Sequence, residues 1–399
     1  MKTRADIARS ASNALLKAKG SPLLSRPAVV GFDGFIDAII HVVDQRRSLE
    51  SDAYTRLATI EAFSARCGAA AGKSANIELV VKEERFGGNG PLMAGALGQL
   101  SLPVTYIGAV GQAQHTTTLH PIFAEFAARC QRVFCVAPPA HTDALEFEDG
   151  KLMLGKPANV QSVTWDALKK HIGLEQIKKL VADSALIGIV NWVMMAGVEG
   201  IWMGLCDEVL ATLPQHPAGH PGTRRRVFID LCDPAKRTDG DVARAMSLLT
   251  RMNTFTPVTL GLNLSESERI AKVMGVDAYG GGGAMSTMGS AVEHAARAVR
   301  ERLQLECVVI HPREGAGAAD ASGASGWFDG PFTATPKLST GAGDHFNGGF
   351  SFAQTLGLPL DECLAVGCGV SGAYVRDAAS PTLDRLAQFL ADLPGPEGR

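Results

Sequence analysis

The chain has 399 residues, 46% of them hydrophobic, which is ample for a buried core and allows one large or two ordinary domains. With 38 basic against 41 acidic residues the formal charge is -3, which excludes a bulk bias toward nucleic acid or an anionic membrane. The 8 cysteines include no Cys-x-x-Cys pair, and the two Cys-x4-Cys spacings (130 with 135, 363 with 368) lack the histidines of a zinc site, so reduced core thiols in a cytoplasmic protein are expected.

Residues 4–18 read as a surface helix, and the early positive charge is not followed by the continuous apolar core of a signal peptide. Next comes Ala28-Val-Val-Gly-Phe-Asp-Gly-Phe-Ile-Asp-Ala-Ile-Ile40, an apolar strand that breaks at Gly31 and ends in the acids Asp33 and Asp37. Such a strand suits the first position of an α/β sheet whose carboxyl edge borders a ligand crevice. Asp33 reads equally well as a turn residue bonding its own backbone. The pattern then changes, with a strand at 38–43, a helix-like piece at 50–66 and a strand at 76–82, as in an insertion. Gly68-Ala-Ala-Ala-Gly-Lys-Ser74 imitates a phosphate-binding loop, but three residues separate its glycines where that motif needs four, and a helix-like segment precedes it, so it is rejected.

Gly87 and Gly88 open a helix through Asn89 to Leu100, followed by a strand near 103–111. Paired glycines expose backbone for hydroxyls to bond, and serve close packing equally well. In 141–155, two β-like runs meet at Asp149-Gly150, a strong hairpin signal. From 173 onward strands near 185–190, 226–231, 258–262 and 306–311 alternate with helices near 174–182, 199–211, 241–252, 265–274 and 286–303, which argues a mainly parallel sheet covered on both faces. Asn191 and Glu199 interrupt the most apolar run, 185–205, so a membrane span is not expected. Arg224-Arg-Arg226 reads as the solvated start of a strand, and 213–224, 279–290 and 315–326 read as surface loops. Asn191, Asp230, Asp233 and Asn263 stand at strand ends, where a doubly wound sheet would turn them into one crevice. Ser265 with Glu268 forms a capping box for the helix that follows, leaving Glu266 outside it.

The most informative stretch is Thr335-Pro-Lys-Leu-Ser-Thr-Gly-Ala-Gly-Asp-His-Phe-Asn-Gly-Gly-Phe350. Thr340, Gly341, Ala342 and Gly343 have almost no side-chain bulk, so their amides can approach a ligand, and apolar residues at 346, 350, 352, 353 and 356 place a helix directly behind them. The orphan N–H groups and positive dipole end of that helix favour an anion such as phosphate. An acid on its first turn, Asp344, is placed to accept the proton of an attacking hydroxyl.

Taken together, these motifs resemble the ribokinase-like carbohydrate kinases, the phosphofructokinase-B family, from about residue 28 to 392. The family pattern Asp-Thr-x-Gly-Ala-Gly-Asp is matched at 341–344, with Leu338 where the first Asp usually stands. Gly-Gly-x-x-x-Asn is matched at Gly87 and Gly88, with Leu92 in place of the Asn that many members keep for the sugar. Asn-x-x-Glu is matched at Asn263 to Glu266, and the altered His311-Pro-Arg-Glu-Gly-Ala316 stands where members carry Thr-x-Gly-x-x-Gly.

The resemblance implies one ribokinase-like α/β domain spanning 1–399, a doubly wound, mainly parallel sheet flanked by helices, with a small β-lid from about 38–86 and 141–155. It implies an ATP- and Mg2+-dependent kinase for a sugar or nucleoside-like small molecule, with no nucleic-acid or membrane partner and a homodimer allowed. Asp344 would be the base, and Gly341, Ala342 and Gly343 the anion hole. Asp37 would grip the acceptor as the acid ending the first strand, with Asp33, Gly87, Gly88, Asn89 and Asn191 near it. Asn263, His311, Thr340, Gly341 and Gly343 would meet the nucleotide, and Glu266 with Asn263 would meet magnesium through water. Glu268 and the Gly31–Ile39 pattern are similar to ADP-dependent sugar kinases of the same fold, which leaves the donor open. Leu92, Leu338 and the altered 311–316 loop leave open a catalytically silent sensor.

Overall fold

The computed structural model describes residues 2–214, 216, 224–279 and 287–397. Its strands, in chain order, are β1 (Ala28–Phe32), β2 (Phe35–Arg46), β3 (Tyr54–Arg56), β4 (Leu79–Gly87), β5 (Val104–Gly108), β6 (Arg132–Cys135), β7 (Ala140–Phe147), β8 (Gly150–Lys156), β9 (Leu186–Ile189), β10 (Arg226–Asp230), β11 (Val258–Leu262), β12 (Cys307–Ile310), β13 (Gly315–Asp320) and β14 (Ser325–Asp329). Nine of them form the main sheet in the order β14-β13-β12-β11-β10-β9-β1-β5-β6. All neighbours from β12 to β6 run parallel, and β13 and β14 complete one edge antiparallel. β1, β5, β9, β11 and β12 are buried along their whole length, which is why they read as unbroken apolar runs. One apolar cluster packs helices such as Asp239–Asn253 and Met288–Leu303 on one face; a second packs Arg4–Ala18, Asn89–Gln99, Ala342–Thr355 and Leu360–Asp377 on the other.

From β1 the chain builds outward to β5 and β6, then returns to the other side at β9 and proceeds to β12. The carboxyl ends of β1 and β9 are therefore the switch point, where an open α/β sheet leaves a crevice. A second, five-stranded sheet rises from there, in the order β3-β2-β7-β8 with β4 on the other part of β2. Strand alternation makes this lid two-faced. Ala38, Ile40, Val42, Leu145, Phe147 and Leu152 pack with Ile60 and Phe63 of the helix Ile60–Ala69, while Asp37, Ile39, Ala144, Glu146, Lys151 and Met153 line a cleft below.

Three expectations need correction. The helix-like piece at 50–66 begins only at Ile60, where the Thr59 hydroxyl caps it, because β3 occupies 54–56. Residues 315–326, expected as a loop, form most of the β13–β14 hairpin. Its Gly and Ala residues lack β-propensity because a helix lies against them; a Cβ on Gly317 would sit 2.9 Å from Val292 Cγ1. Arg225, expected in a solvated segment, is buried, its guanidinium donating to the carbonyls of Val181, Ala182 and Pro214. The loops expected at 213–224 and 279–290 lie largely outside the described residues.

Cys135, Cys206, Cys307, Cys363 and Cys368 are buried, while Cys67 is exposed on the helix Ile60–Ala69. Among the described residues no helix is long and apolar enough to cross a membrane. The helix Ala342–Thr355 packs closely on Leu360–Asp377 through Gly349, where a Cβ would lie 2.7 Å from Val370 Cγ2 and 3.0 Å from the Val366 carbonyl oxygen; at Gly348 the nearest atom, Ala96 Cβ, is 3.1 Å away. Gly349→Ala should lower stability by about 1–3 kcal/mol and Gly348→Ala by less, read from urea unfolding.

Candidate active site

The turn before the helix Ala342–Thr355 is built as a cradle. Gly341 is the N-cap at φ 85°, a left-handed conformation that disfavours any side chain, and no side chain caps the helix in its place. Asp344, on the first turn, is buried, and its Oδ1 accepts a hydrogen bond of 2.9 Å from Asn89 Nδ2. Burial pushes its pKa well up, the charges of Asp230 and Asp33 add to this, and the Asn89 bond opposes it.

At the switch point β1 stops at Phe32, so the acid ending the first strand is Asp33, and Asp37 belongs to the lid strand β2. Asp33 is not a local turn residue. Its carboxylate accepts from the amides of Asn89 (3.0 Å) and Gly90 (2.7 Å) and from Asn191 Nδ2 (2.7 Å), so it caps the helix Asn89–Gln99 from 56 residues away. Gly88 at φ 102° opens that helix, and Asn191 at φ 65° also accepts the Met194 amide on its Oδ1. Burial raises the Asp33 pKa to about 6 against these three bonds.

A second acidic pair lies alongside. Asp230, at the end of β10, accepts from the Cys232 amide (2.9 Å) and from Asn347 Nδ2 (2.6 Å), and Asn347 Oδ1 is buried without a partner among the described residues. Glu266 is the residue of the capping box after all: Asn263 Oδ1 accepts the Glu266 amide, and Glu266 Oε2 accepts the Asn263 amide. Its Oε1 accepts the Asp233 amide, while the Asp233 carboxylate turns to Lys236. Burial raises both Asp230 and Glu266, and for Asp230 the Glu266 charge adds to it.

Two clefts flank the turn, and Ser339 lines both. One, of about 430 Å³, is bordered by Asn263, His311, Ala342, Gly343 and Phe346. His311 stacks on Phe346 with centroids 4.6 Å apart, and its Nε2 is buried without a partner among the described residues; burial lowers its pKa to about 4, so the ring is neutral. The other cleft, of about 350 Å³ beneath the lid, is bordered by Asp37, Arg85, Gly87, Leu92, Lys151 and Thr340. Gly87 is needed there because a Cβ would overlap the Asp37 carboxylate. Asp33, Gly88, Asn89, Asn191 and Asp344 do not line it: Asn89 donates inward to Asp33 and Asp344, Asn191 to Asp33, and Gly88 lies against the Asp33 carboxylate.

Two side chains at the site do not stand out in the sequence. Lys151 reaches across 189 positions to place Nζ 2.9 Å from Thr340 Oγ1; its signal was its place immediately after the Asp149-Gly150 turn, on the cleft face of β8. Asn347 had one too, standing three residues beyond Asp344 and so on the same helix face.

Because Asp33, Asp230, Glu266 and Asp344 all release protons less readily in the folded chain, the native state holds more protons above the ordinary carboxylate range, and their contribution to stability is lost as pH rises from about 4 through their native pKa values. Asp230→Asn removes one of them, so its stability relative to the parent should improve steadily between pH 5 and pH 8 in urea unfolding of magnesium-free protein.

A family model described as prokaryotic ketohexokinase matches residues 17–393. A ketohexokinase of Haloferax volcanii is 28% identical over 361 residues, covering 90% of this chain and 89% of that protein. Among solved structures, Arabidopsis thaliana ribokinase complexed with ribose and ATP has a TM-score of 0.60 at 14% identity, covering 92% of this chain and 99% of its own. Escherichia coli phosphofructokinase-2 in complex with potassium has a TM-score of 0.60 at 13% identity, covering 93% and 99%. The doubly wound ribokinase fold with its lid is thus shared, and the chain is a carbohydrate kinase that belongs to the prokaryotic ketohexokinase family.

Proposed function

We propose that the protein transfers the γ-phosphoryl group of ATP to a hydroxyl of a ketohexose, with Asp344 as general base. The placement of Asp344 carries this: a buried carboxyl on the first turn of a helix, beside the glycine turn and held by Asn89. The name of the Haloferax volcanii relative supports the acceptor class, and the ATP in the Arabidopsis thaliana ribokinase structure supports the donor.

The acceptor occupies the cleft beneath the lid, where Asp37 accepts its hydroxyls. Burial raises the Asp37 pKa, while the Thr142 hydroxyl and the charges of Lys151 and Arg85 hold it down. Asp344 takes the proton of the attacking hydroxyl as that oxygen bonds to the γ-phosphorus and the bond to the β–γ bridging oxygen breaks, releasing ADP. A carboxyl with raised proton affinity is the stronger base, and the Asn89 bond with the helix dipole works against the rise, toward the ionised form that base catalysis uses. The amides of Gly341, Ala342 and Gly343 receive the charge spread over the transferring oxygens. Asn263 and His311 border the nucleotide in the other cleft, with Thr340 at the junction, and His311 offers a neutral ring nitrogen.

Asp230 and Glu266 repel each other in spite of the hydrogen bonds each accepts, and Asn347 Oδ1 beside Asp230 has no partner among the described residues; such oxygen donors suit a hard divalent cation. Among the described residues no cluster of three or more His, Cys, Asp or Glu is placed to hold a metal by itself, and both Glu266 oxygens already accept amides, so Glu266 and Asn263 would hold magnesium through water. Bound there, it would neutralise phosphate charge. Lys151 joins the lid to the turn, so closure brings an ammonium to the phosphoryl group and excludes water.

Purified protein with magnesium should consume ATP, and not ADP, in the presence of ketohexoses and much less with aldohexoses, sugar phosphates or nucleosides. Asp344→Asn should fold and lose about 10²–10⁴-fold in kcat. A folded Asp344→Asn protein with full turnover would end the assignment. Lys151→Met should lower kcat/KM while leaving ATP affinity unchanged in a binding titration.

A further inference from the structure

We infer that His345 is a positioning residue that holds the glycine turn in its anion-binding shape, with Tyr374 as its partner, an inference that rests on the reading of Gly341–Gly343 as the anion hole. His345 is 1% exposed and borders neither cleft. Its Nδ1 lies 2.7 Å from the Gly341 carbonyl oxygen and its Nε2 2.7 Å from Ser380 Oγ. A carbonyl only accepts, so Nδ1 carries the hydrogen, and the neutral ring then accepts at Nε2 from the Ser380 hydroxyl.

The Gly341 carbonyl accepts a second bond, of 3.0 Å, from the His345 amide. One residue earlier, the Thr340 carbonyl accepts from the Tyr374 hydroxyl at 2.8 Å. The two rings lie against each other, centroids 3.5 Å apart and planes at 14°. Tyr374 belongs to the helix Leu360–Asp377 and Ser380 follows just beyond it, so one element anchors both restraints.

Two consecutive carbonyls are therefore drawn into the body of the protein. In a trans peptide the carbonyl and the next N–H point in opposite directions, so anchoring the oxygens of Thr340 and Gly341 turns the amides of Gly341 and Ala342 the other way, where the Ala342 amide donates to the Ser339 carbonyl at 3.2 Å until an anion takes that place. A Gly-Ala-Gly turn has little rigidity of its own, and amides aimed at developing charge act only if they are aimed beforehand. Nothing in His345 itself needs to touch the nucleotide or the sugar for its loss to slow the transfer.

The test is steady-state kinetics on the full chain with His345→Phe, which keeps the stacked ring and removes both polar bonds. Its kcat should fall about 10–100-fold with both KM values little changed. His345→Asn, whose amide nitrogen lies close to the position of Nδ1, should recover about tenfold of that loss. If His345→Phe does not fold, Ser380→Ala, which leaves the ring in place but frees its far side, should show a smaller fall confined to kcat. A folded His345→Phe with full kcat, a loss expressed only in KM, or no recovery in His345→Asn would overturn the proposal; so would an unchanged kcat in Ser380→Ala. Asp344→Asn run alongside separates the two levels: an active Asp344→Asn overturns the base assignment, whereas an inactive one beside a fully active His345→Phe overturns only the clamp.

Discussion

Carboxylates buried side by side repel one another and lose their water, and this chain holds Asp33, Asp230, Glu266 and Asp344 at one crevice. Much of the local architecture compensates that arrangement. Asp33 receives the first amides of the helix Asn89–Gln99, Glu266 the amides of Asn263 and Asp233, and Asp344 stands in the first turn of Ala342–Thr355. Helix starts supply N–H groups with no other partner and a positive dipole end, so they tolerate anions where an isolated side chain would not. The doubly wound topology is what brings these starts to one edge of the sheet.

The same compensation explains which residues are amides. Asn89, Asn191 and Asn347 each donate to one of the acids, at 2.9, 2.7 and 2.6 Å. An Asn can bridge a carboxylate without adding charge, whereas a Lys or Arg would neutralise it and remove the base strength that burial confers. Positive charge reaches the turn from the lid instead, at Lys151, whose Nζ meets Thr340 Oγ1 from outside the acidic cluster.

Legibility in the sequence followed the range of the interactions. The helix behind Thr340–Asp344 and the strands at 186–189, 226–230 and 258–262 follow from local patterning, which neighbours in sequence enforce. The partnerships of Asp33 and Asn89 join residues 56 and 255 positions apart, and nothing local distinguishes Asp33 from Asp37. The capping role of Glu266 is hidden for a related reason: Asn263-x-x-Glu266 and Ser265-x-x-Glu268 are both capping boxes on paper, and only the end of β11 at Leu262 decides which one opens the helix. The β13–β14 hairpin was hidden because its small residues answer to the helix Met288–Leu303 lying across them and not to strand propensity.

The distribution of thiols has a practical side. Burial pushes the sulfhydryls of Cys206, Cys307, Cys363 and Cys368 upward, and Cys130 and Cys232 are raised in the same way. Cys67 alone is exposed, on the helix that packs on the outer face of the lid sheet. A maleimide dye added to the unmodified protein would therefore attach to the lid side of the molecule in preference to the body. The protein thus carries its own labelling site on the lid, which would report any change there when a sugar is added, with no engineered cysteine and no dependence on turnover.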